Sequence, residues 1–398
     1  MDEAHAQAAN LKGSVRLGNY LRRLRTGYGY SLRRVEERAR AEGGEIDNSQ
    51  LSRYEKGICY PSFDKLRVLA GVFNIPVQAF SDVVDLEAYE DLKPGSGDAV
   101  AVLEAGHAAM RAGELGKAFA CYEKALDLLQ ENPAQDDRDE RMARARISLA
   151  TALGRLGKLS LAERELRQAL RQLDHLASPV KAQALLCLAN LHADQGDLFL
   201  AELEAERAQV YARSEGLDLM TARILHTLAR VLAERGQESP AIERYREAAE
   251  HYEKCGDRYE ATRVRINIGV CYVNMRKTRE GIRLLRVALD EARARGHRRL
   301  EAHAWTSLGE AYYHLHDPRR ARTCFTESTA IAGSDREPQG DLLFVNAFYE
   351  WKMAREEESP TKEKIAFGRL KALRSSLEKR FPEVEAFDAY VERGRSDA

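Results

Sequence analysis

The chain has 398 residues with 62 basic against 63 acidic side chains, 44% hydrophobic and 31% charged, a balance that excludes a chain dominated by disorder and accommodates two or three domains, or one domain plus a repeat array. No stretch approaches the ~18 consecutive apolar residues of a membrane helix, and the N-terminal Met1-Asp2-Glu3-Ala4-His5 lacks a basic-then-apolar leader, so neither a membrane nor export is expected. Six scattered cysteines (Cys59, Cys121, Cys187, Cys255, Cys271 and Cys324) form no C-x-x-C pair, which argues against a zinc site or disulfide framework and predicts a cytoplasmic protein. Only 10 prolines, with long runs of Ala, Leu, Arg and Glu, predict an all-α fold.

The near-zero net charge hides an asymmetry. Between Leu11 and Phe80 thirteen Lys/Arg face seven Asp/Glu, a segment at +6. Residues 81–98 then carry six acids against Lys93 and include Lys93-Pro94-Gly95-Ser96-Gly97. Turn formers inside a charge shift predict a boundary, with a domain over residues 11–85 and a linker over 86–98. The basic segment parses into five short helices. Val15–Arg25 places Val15, Leu17, Leu21 and Leu24 inward, and Gly27 ends it. Ser31 caps a second helix with Leu32, Val35 and Ala39 inward. Asp47 or Asn48 caps a third, ending at Gly57, with Leu51 and Tyr54 inside. Pro61-Ser62 opens a fourth with Leu66, Leu69 and Ala70, and Ile75-Pro76 opens a fifth with Val77 and Phe80.

This segment resembles the Xre, or lambda-repressor-like, class of helix-turn-helix domain. The resemblance rests on Leu21-Arg22-Arg23-Leu24-Arg25, Ser31-Leu32-Arg33-Arg34-Val35, Gln50-Leu51-Ser52-Arg53-Tyr54-Glu55-Lys56-Gly57, Pro61-Ser62, and Leu66 through Ile75-Pro76. Glu36 departs from the small Ala most members carry there, and the turn from Arg40 to Glu45 holds about five extra residues. A recognition helix exposes short polar side chains at its N-terminal turn, where they meet base edges of double-stranded DNA in the major groove. Asn48, Ser49, Ser52 and Arg53 face away from the Leu51/Tyr54 stripe and are the candidates, with Gln50 weaker. Asn48 has the amide for a bidentate pair with adenine, and Arg53 suits guanine or phosphate. Ser31, Arg33 and Lys56 suit phosphates, which set register without reading sequence. The plainer role for Asn48 and Ser49 is to cap the helix. The charge of +6 favours DNA over a protein-interaction role for the domain.

The rest of the chain repeats itself. A small residue, a bulky one four later and a small one three after that recur as Ala118/Tyr122/Ala125, Ala162/Leu166/Ala169, Ala201/Ala205/Ala208, Ala241/Tyr245/Ala248, Gly281/Leu285/Ala288 and Ala321/Phe325/Ser328. Twelve residues before each start lies another small residue: Gly106, Ala150, Ala189, Ala229, Gly269 and Gly309. Gly or polar turns such as Gln195-Gly196-Asp197 separate the halves. Each unit is therefore a helix pair whose small residues let two backbones approach, and six such units stack into a right-handed α-solenoid. The pattern resembles tetratricopeptide repeats, with helices longer than the 34-residue unit allows, over residues 99–340. Residues 341–356 and 361–380 read as a diverged seventh pair and 384–393 as a terminal cap. Residues 341–398 are thus expected to cap the array or to form a dimer surface.

Solenoids bind extended ligands on the face lined by the first helix of each pair. Every third or fourth residue gives the rows Arg144, Gln183, Arg223, Arg263, His303; then Leu186, His226, Ile266, Thr306; then Asn190, Arg230, Val270, Glu310; and Asp194, Glu234, Asn274, His314 with Tyr313 beside it. The candidate ligand-binding residues are Asn190, Arg223, His226, Arg230, Arg263, Asn274 and Tyr313. Asn pairs with peptide N–H and C=O, Arg holds a terminal carboxylate, and Ile266 and Val270 are expected to receive side chains. The plainer account is a solvated groove with Arg–Glu pairs between repeats.

No phosphate loop, dinucleotide fingerprint, H-E-x-x-H or G-x-S-x-G occurs, so no enzyme and no cofactor or metal is predicted. A helix-turn-helix joined to tetratricopeptide-like repeats resembles the peptide-pheromone receptor class of bacterial regulators, the Rap, NprR, PlcR and PrgX group, often called RRNPP. The resemblance implies a cytoplasmic quorum-sensing transcription factor, a homodimer on a palindromic operator, with a short peptide in the groove switching DNA affinity. The alternatives are repeats that dock a protein partner, and modulation of response-regulator phosphorylation, which the same class also implies.

Overall fold

The computed structural model describes residues 13–95, 97–131, 137–171, 176–334, 339–377 and 381–396, and every regular element among them is helical. The chain divides into two units, Met1–Leu176 and Ala177–Ala398.

The first unit opens with five short helices. Helix α1 (Val15–Gly27) begins where the Ser14 hydroxyl accepts from Leu17 N at 2.8 Å. Leu17, Tyr20, Leu21 and Leu24 are buried, but Val15 is 66% exposed, contrary to expectation. Two residues before Leu17 means about 200° around a helix of 3.6 residues per turn, so Val15 points away from the stripe that Leu17, Leu21 and Leu24 define. Helix α2 (Leu32–Ala41) is capped by Ser31 and α3 (Asn48–Glu55) by Asp47, whose carboxylate accepts from Gln50 N at 2.7 Å. The turn between α2 and α3 is anchored by Ile46, 1% exposed, and by Gly44, where a Cβ would collide with Val68. Helices α4 (Phe63–Phe73) and α5 (Gln78–Asp85) complete this group. Leu69, Ala70, Phe73 and Phe80 are buried, whereas Leu32, Leu66 and Val77 are only half-buried.

The expected linker over 86–98 is not an open tether at its start. A 3-10 helix over Leu86–Leu92 follows α5 directly, with Leu86 buried and Tyr89 against Phe119. Two helix pairs follow, α6 (Ala99–Arg111) with α7 (Leu115–Glu131), and α8 (Arg138–Arg155) with α9 (Leu159–Ala169).

The second unit holds five more pairs: α10 (Ser178–Asp194) and α11 (Leu198–Ser214), α12 (Asp218–Glu234) and α13 (Glu238–Lys254), α14 (Arg258–Asn274) and α15 (Thr278–Ala294), α16 (Arg298–His314) and α17 (Pro318–Ala332), α18 (Gly340–Glu356) and α19 (Pro360–Arg374). Most of these helices run 17 residues, which makes the unit forty residues rather than 34. A final helix, α20 (Pro382–Ser396), follows. The expected second helix of the seventh pair ends earlier than residue 380, and residues 378–380 lie outside the described residues.

The small residues read from the sequence sit under the bulky ones. A Cβ on Gly106 would lie 2.6 Å from the Tyr122 ring, and one on Gly269 2.7 Å from Leu285, so these positions exclude any larger residue. Ala118, Ala201, Ala241, Leu285 and Phe325 are fully enclosed. Phe344, Trp351, Phe367 and Phe387 from α18, α19 and α20 stack into an aromatic cluster at the C-terminal end of the second unit.

Candidate nucleic-acid interface and ligand groove

Helix α3 lies across α1. A Cβ on Gly18 would meet Tyr54 O at 2.6 Å, so the two backbones touch. Arg25 of α1 closes on Glu55 of α3 with two hydrogen bonds of 2.6 and 2.9 Å, and this charge-assisted pair raises the Arg25 pKa. Leu51 and Tyr54 are buried beneath, which leaves the opposite face of α3 outward.

Because Asp47 is the cap, Asn48 and Ser49 are not needed for it. Both are exposed in the first turn of α3, as is Arg53 one turn on, and none of the three makes a side-chain hydrogen bond or ion pair with a described residue. Ser52 is half-buried. Gln50 is engaged, its amide oxygen accepting from Lys65 Nζ at 2.6 Å. Ser31 is exposed but its hydroxyl serves as the α2 cap, Arg33 faces Glu37 at 3.6 Å, and Lys56 is exposed. Arg33, Asn48, Ser49, Arg53 and Lys56 thus remain outward-facing, while Gln50 and Ser31 also have structural partners.

In the second unit a cavity of about 660 Å³ opens along the first helices α10, α12, α14, α16 and α18. Asn190, Arg223, His226, Arg230 and Arg263 all line it. Asn274 and Tyr313 do not. Asn274 donates to Glu238 at 2.9 Å, and Tyr313 donates to Glu356 and packs against Tyr349. Ile266 and Thr306 are also displaced from their expected row, at 0% and 2% exposure within the core. The next residue, Asn267, takes the place on the cavity wall assigned to Ile266. Ile266 stands three residues after Arg263, about 60° short of a full turn, and Asn267 four residues after it, about 40° past, so one residue of phase decides which of the two faces the groove. Tyr252, Asp257, Tyr259, Glu260, Arg299 and Asp341 also line the cavity and were missed. Asp257, Arg299 and Asp341 sit in or beside the first turns of their helices, ahead of the rows that were drawn.

The wall is a lattice of paired charges. Arg230 bridges to Asp194 at 2.9 Å and to the Asn190 amide oxygen at 3.3 Å, and that oxygen also accepts from Thr227 at 3.1 Å. Arg263 pairs with Glu260 at 2.6 Å and Arg299 with Asp341 at 2.8 Å. Arg223 differs: it is exposed to the cavity, and its guanidinium makes no hydrogen bond or ion pair with a described residue. Burial raises the Glu260 pKa, opposed by the neighbouring Arg263.

At the centre sits His226, 9% exposed. Burial and the adjacent Arg263 and Arg230 lower its pKa to about 3, so it is neutral. Arg263 lies 3.3 Å from Nδ1 and Asn267 Nδ2 3.2 Å from Nε2. A guanidinium only donates, so Nδ1 accepts and Nε2 carries the proton, which requires the Asn267 amide to be turned over so that its oxygen, not its nitrogen, faces Nε2–H. His303, on the same wall, is lowered to about 4 by burial.

Among the described residues no three His, Cys, Asp or Glu side chains converge as a metal site, and no single helix is long and apolar enough to cross a membrane. Cys121, Cys271 and Cys324 are buried as small apolar groups, while Cys255 is exposed and Cys59 and Cys187 lie between.

No family model and no curated protein matches the chain. Solved structures do. A Rap protein complexed with competence and sporulation factor is 17% identical, with a TM-score of 0.53 over 70% of this chain and 76% of that one. The apo form of RapI is 16% identical, with a TM-score of 0.52 over 74% of this chain and 92% of its own. A tetratricopeptide repeat protein from Parabacteroides merdae is 15% identical, with a TM-score of 0.50 over 69% and 93%. The chain shares the tetratricopeptide-repeat fold. At these identities the likeness concerns fold alone, and it agrees with an array of helix pairs built on small-under-large contacts.

Proposed function

We propose that the chain is a sequence-specific DNA-binding transcriptional regulator whose repeat groove takes a short peptide that modulates DNA binding. The observation that carries the peptide reading is the 660 Å³ cavity in which the Arg223 guanidinium has no hydrogen-bond or ion-pair partner among the described residues, beside guanidiniums paired with acids. A peptide carboxylate completes that arrangement, and the amide nitrogen of Asn190 remains available for a backbone carbonyl. A Rap protein of the same fold was solved with competence and sporulation factor, which supports a ligand on this surface. The DNA reading rests on α3, whose first turn presents Asn48 and Ser49 free of the capping role that Asp47 performs. The protein acts as a cytoplasmic homodimer on a palindromic operator. Peptide binding favours one arrangement of the repeats over another and so shifts the population competent for DNA.

The test is capture of genomic DNA by the purified protein, then binding to the enriched site at two salt concentrations. A palindromic motif, weakened by salt and lost in Asn48→Ala/Arg53→Ala, supports the reading. Absence of any motif, with no effect of the double substitution, overturns it. For the groove, selection from a random hexapeptide pool is expected to enrich binders that Arg223→Ala loses and that C-terminal amidation weakens.

A second reading has one observation in its favour. Phe199, Leu203 and Val210 are 71%, 42% and 68% exposed on α11, an apolar stripe at helical spacing that suits docking of a protein partner.

A further inference from the structure

The acidic run over residues 81–98, which begins within α5, marks a charge shift in the sequence, yet most of it is engaged in contacts. Asp82 and Asp85 of α5 both accept from Lys158 Nζ, 3.2 Å away in the case of Asp82, at the turn into α9. Glu90 takes Arg16 of α1 and Lys93, and both cations continue to Glu123 of α7, Lys93 at 2.8 Å. The cations and two of the acids are shielded, with side-chain exposure of 13% for Arg16, 17% for Glu123 and Lys158, and 7% for Asp82, while Glu90 and Asp85 reach solvent at 41% and 56%. Arg164 of α9 lies 4.8 Å over the Tyr20 ring of α1, and Arg16 lies 5.1 Å over Phe119 of α7. Tyr89 covers Gly116, where a Cβ would collide with the ring.

These contacts fall into two sets. Arg16, Lys93 and Tyr89 hold α7 of the first pair, while Asp82, Asp85 and Tyr20 hold the start of α9 in the second. The group α1–α5 therefore straddles the joint between two helix pairs. A cleft of about 830 Å³ beside the contacts, with Leu86 and Phe119 among its lining residues, leaves that joint loosely filled. A body held at one point can pivot, whereas a body held on both sides of a joint must follow the angle of that joint.

We propose that Arg16 and Lys158 are positioning residues for DNA recognition: they lock α1–α5 to both helix pairs, so that the direction of α3 follows the angle between those pairs. This rests on the DNA-binding reading of α3. The two shielded pairs, Arg16 with Glu123 and Lys158 with Asp82, are costly to break, because removing one partner leaves a charge uncompensated. The lock converts a change of superhelical pitch at the start of the array into a rotation of α3, without any flexible tether in between.

Charge reversal tests it. Lys158→Glu places three carboxylates together, and Lys158→Glu/Asp85→Lys restores one cation among two acids. Hydrogen exchange of the full-length chain is expected to show residues 78–92 protected, at least about tenfold less so in Lys158→Glu, and protected again in the double variant. Exchange in α10–α17 stays unchanged, which reports that the chain is folded. On palindromic duplexes whose half-sites are separated by added base pairs, the parent protein prefers one spacing. Lys158→Glu flattens that preference and the double variant recovers it. Unchanged exchange and spacing preference in Lys158→Glu, or failure of the double variant to restore either, overturns the lock. If exchange behaves as expected but the parent protein binds no operator, the lock stands and the DNA reading fails.

Discussion

Arg263 and His226, 37 positions apart on the first helices of neighbouring pairs, share a hydrogen bond of 3.3 Å at the centre of the groove, where burial first and the guanidinium charge second keep the imidazole neutral. Protonation would put a second cation against the guanidinium, on an imidazole that is itself shielded from water.

This relationship has a sign in pH. The folded pKa of His226 is about 3 and that of His303 about 4, each below the 6.5 of a free imidazole. A base whose folded pKa is depressed contributes stability above its unfolded pKa and loses it as pH falls. The second unit is therefore expected to weaken progressively from about pH 6.5 downward, His226 accounting for about 2 kcal/mol at pH 5. Urea unfolding of the parent and of His226→Gln at pH 7 and pH 5 checks this. The difference between the two pH values should shrink in the variant, and an unchanged difference would refute the assignment.

Glu310 behaves in the opposite sense. Burial and the facing Glu383 raise its pKa to about 8, so the folded state holds its proton more tightly than the unfolded chain. Stability is then lost as pH rises from 4.5 through 8. Glu310→Gln is expected to stabilise the second unit at pH 8 by up to roughly 4 kcal/mol and to do almost nothing at pH 4.5. Thermal melts at the two pH values distinguish this from a uniform packing effect, which would act at both.

Turns between the helices of the second unit place a residue in the left-handed region at 196, 216, 236, 256, 276, 296 and 316. Five of these are Gly, but position 276 is Arg with φ 64° and position 316 is His with φ 57°. A Cβ is strained there, so Arg276→Gly and His316→Gly should each stabilise by about 1 kcal/mol, raising Tm by ~3 °C. A lower Tm in both would show that these side chains hold contacts worth more than the strain.

Asp47 and Asn48 are neighbours with different work. Asp47→Ala removes the cap of α3 and is expected to cost about 1 kcal/mol of stability. Asn48→Ala touches nothing in the fold and should leave stability within about 0.5 kcal/mol while weakening operator binding. Equal destabilisation by both would return Asn48 to a structural role.

The helices, their forty-residue period and the small-under-large contacts of Gly106 with Tyr122 and Gly269 with Leu285 were all open to reading in the sequence. They depend on spacing within a helix pair, where covalent connection and 3.6 residues per turn leave little freedom. The burial of Leu51 and Tyr54 was open for the same reason. The groove was open in part: Asn190, Arg223, His226, Arg230 and Arg263 converge as their forty-residue recurrence suggested, but Ile266 and Asn267 exchange roles because one residue of phase turns a side chain from groove to core. Only tertiary structure decided which of four similar guanidiniums is left without an ion pair among the described residues. It also decided that Lys158 meets Asp82, 76 positions away, since an acidic run carries no mark of its partner until folding brings a cation within a few ångströms.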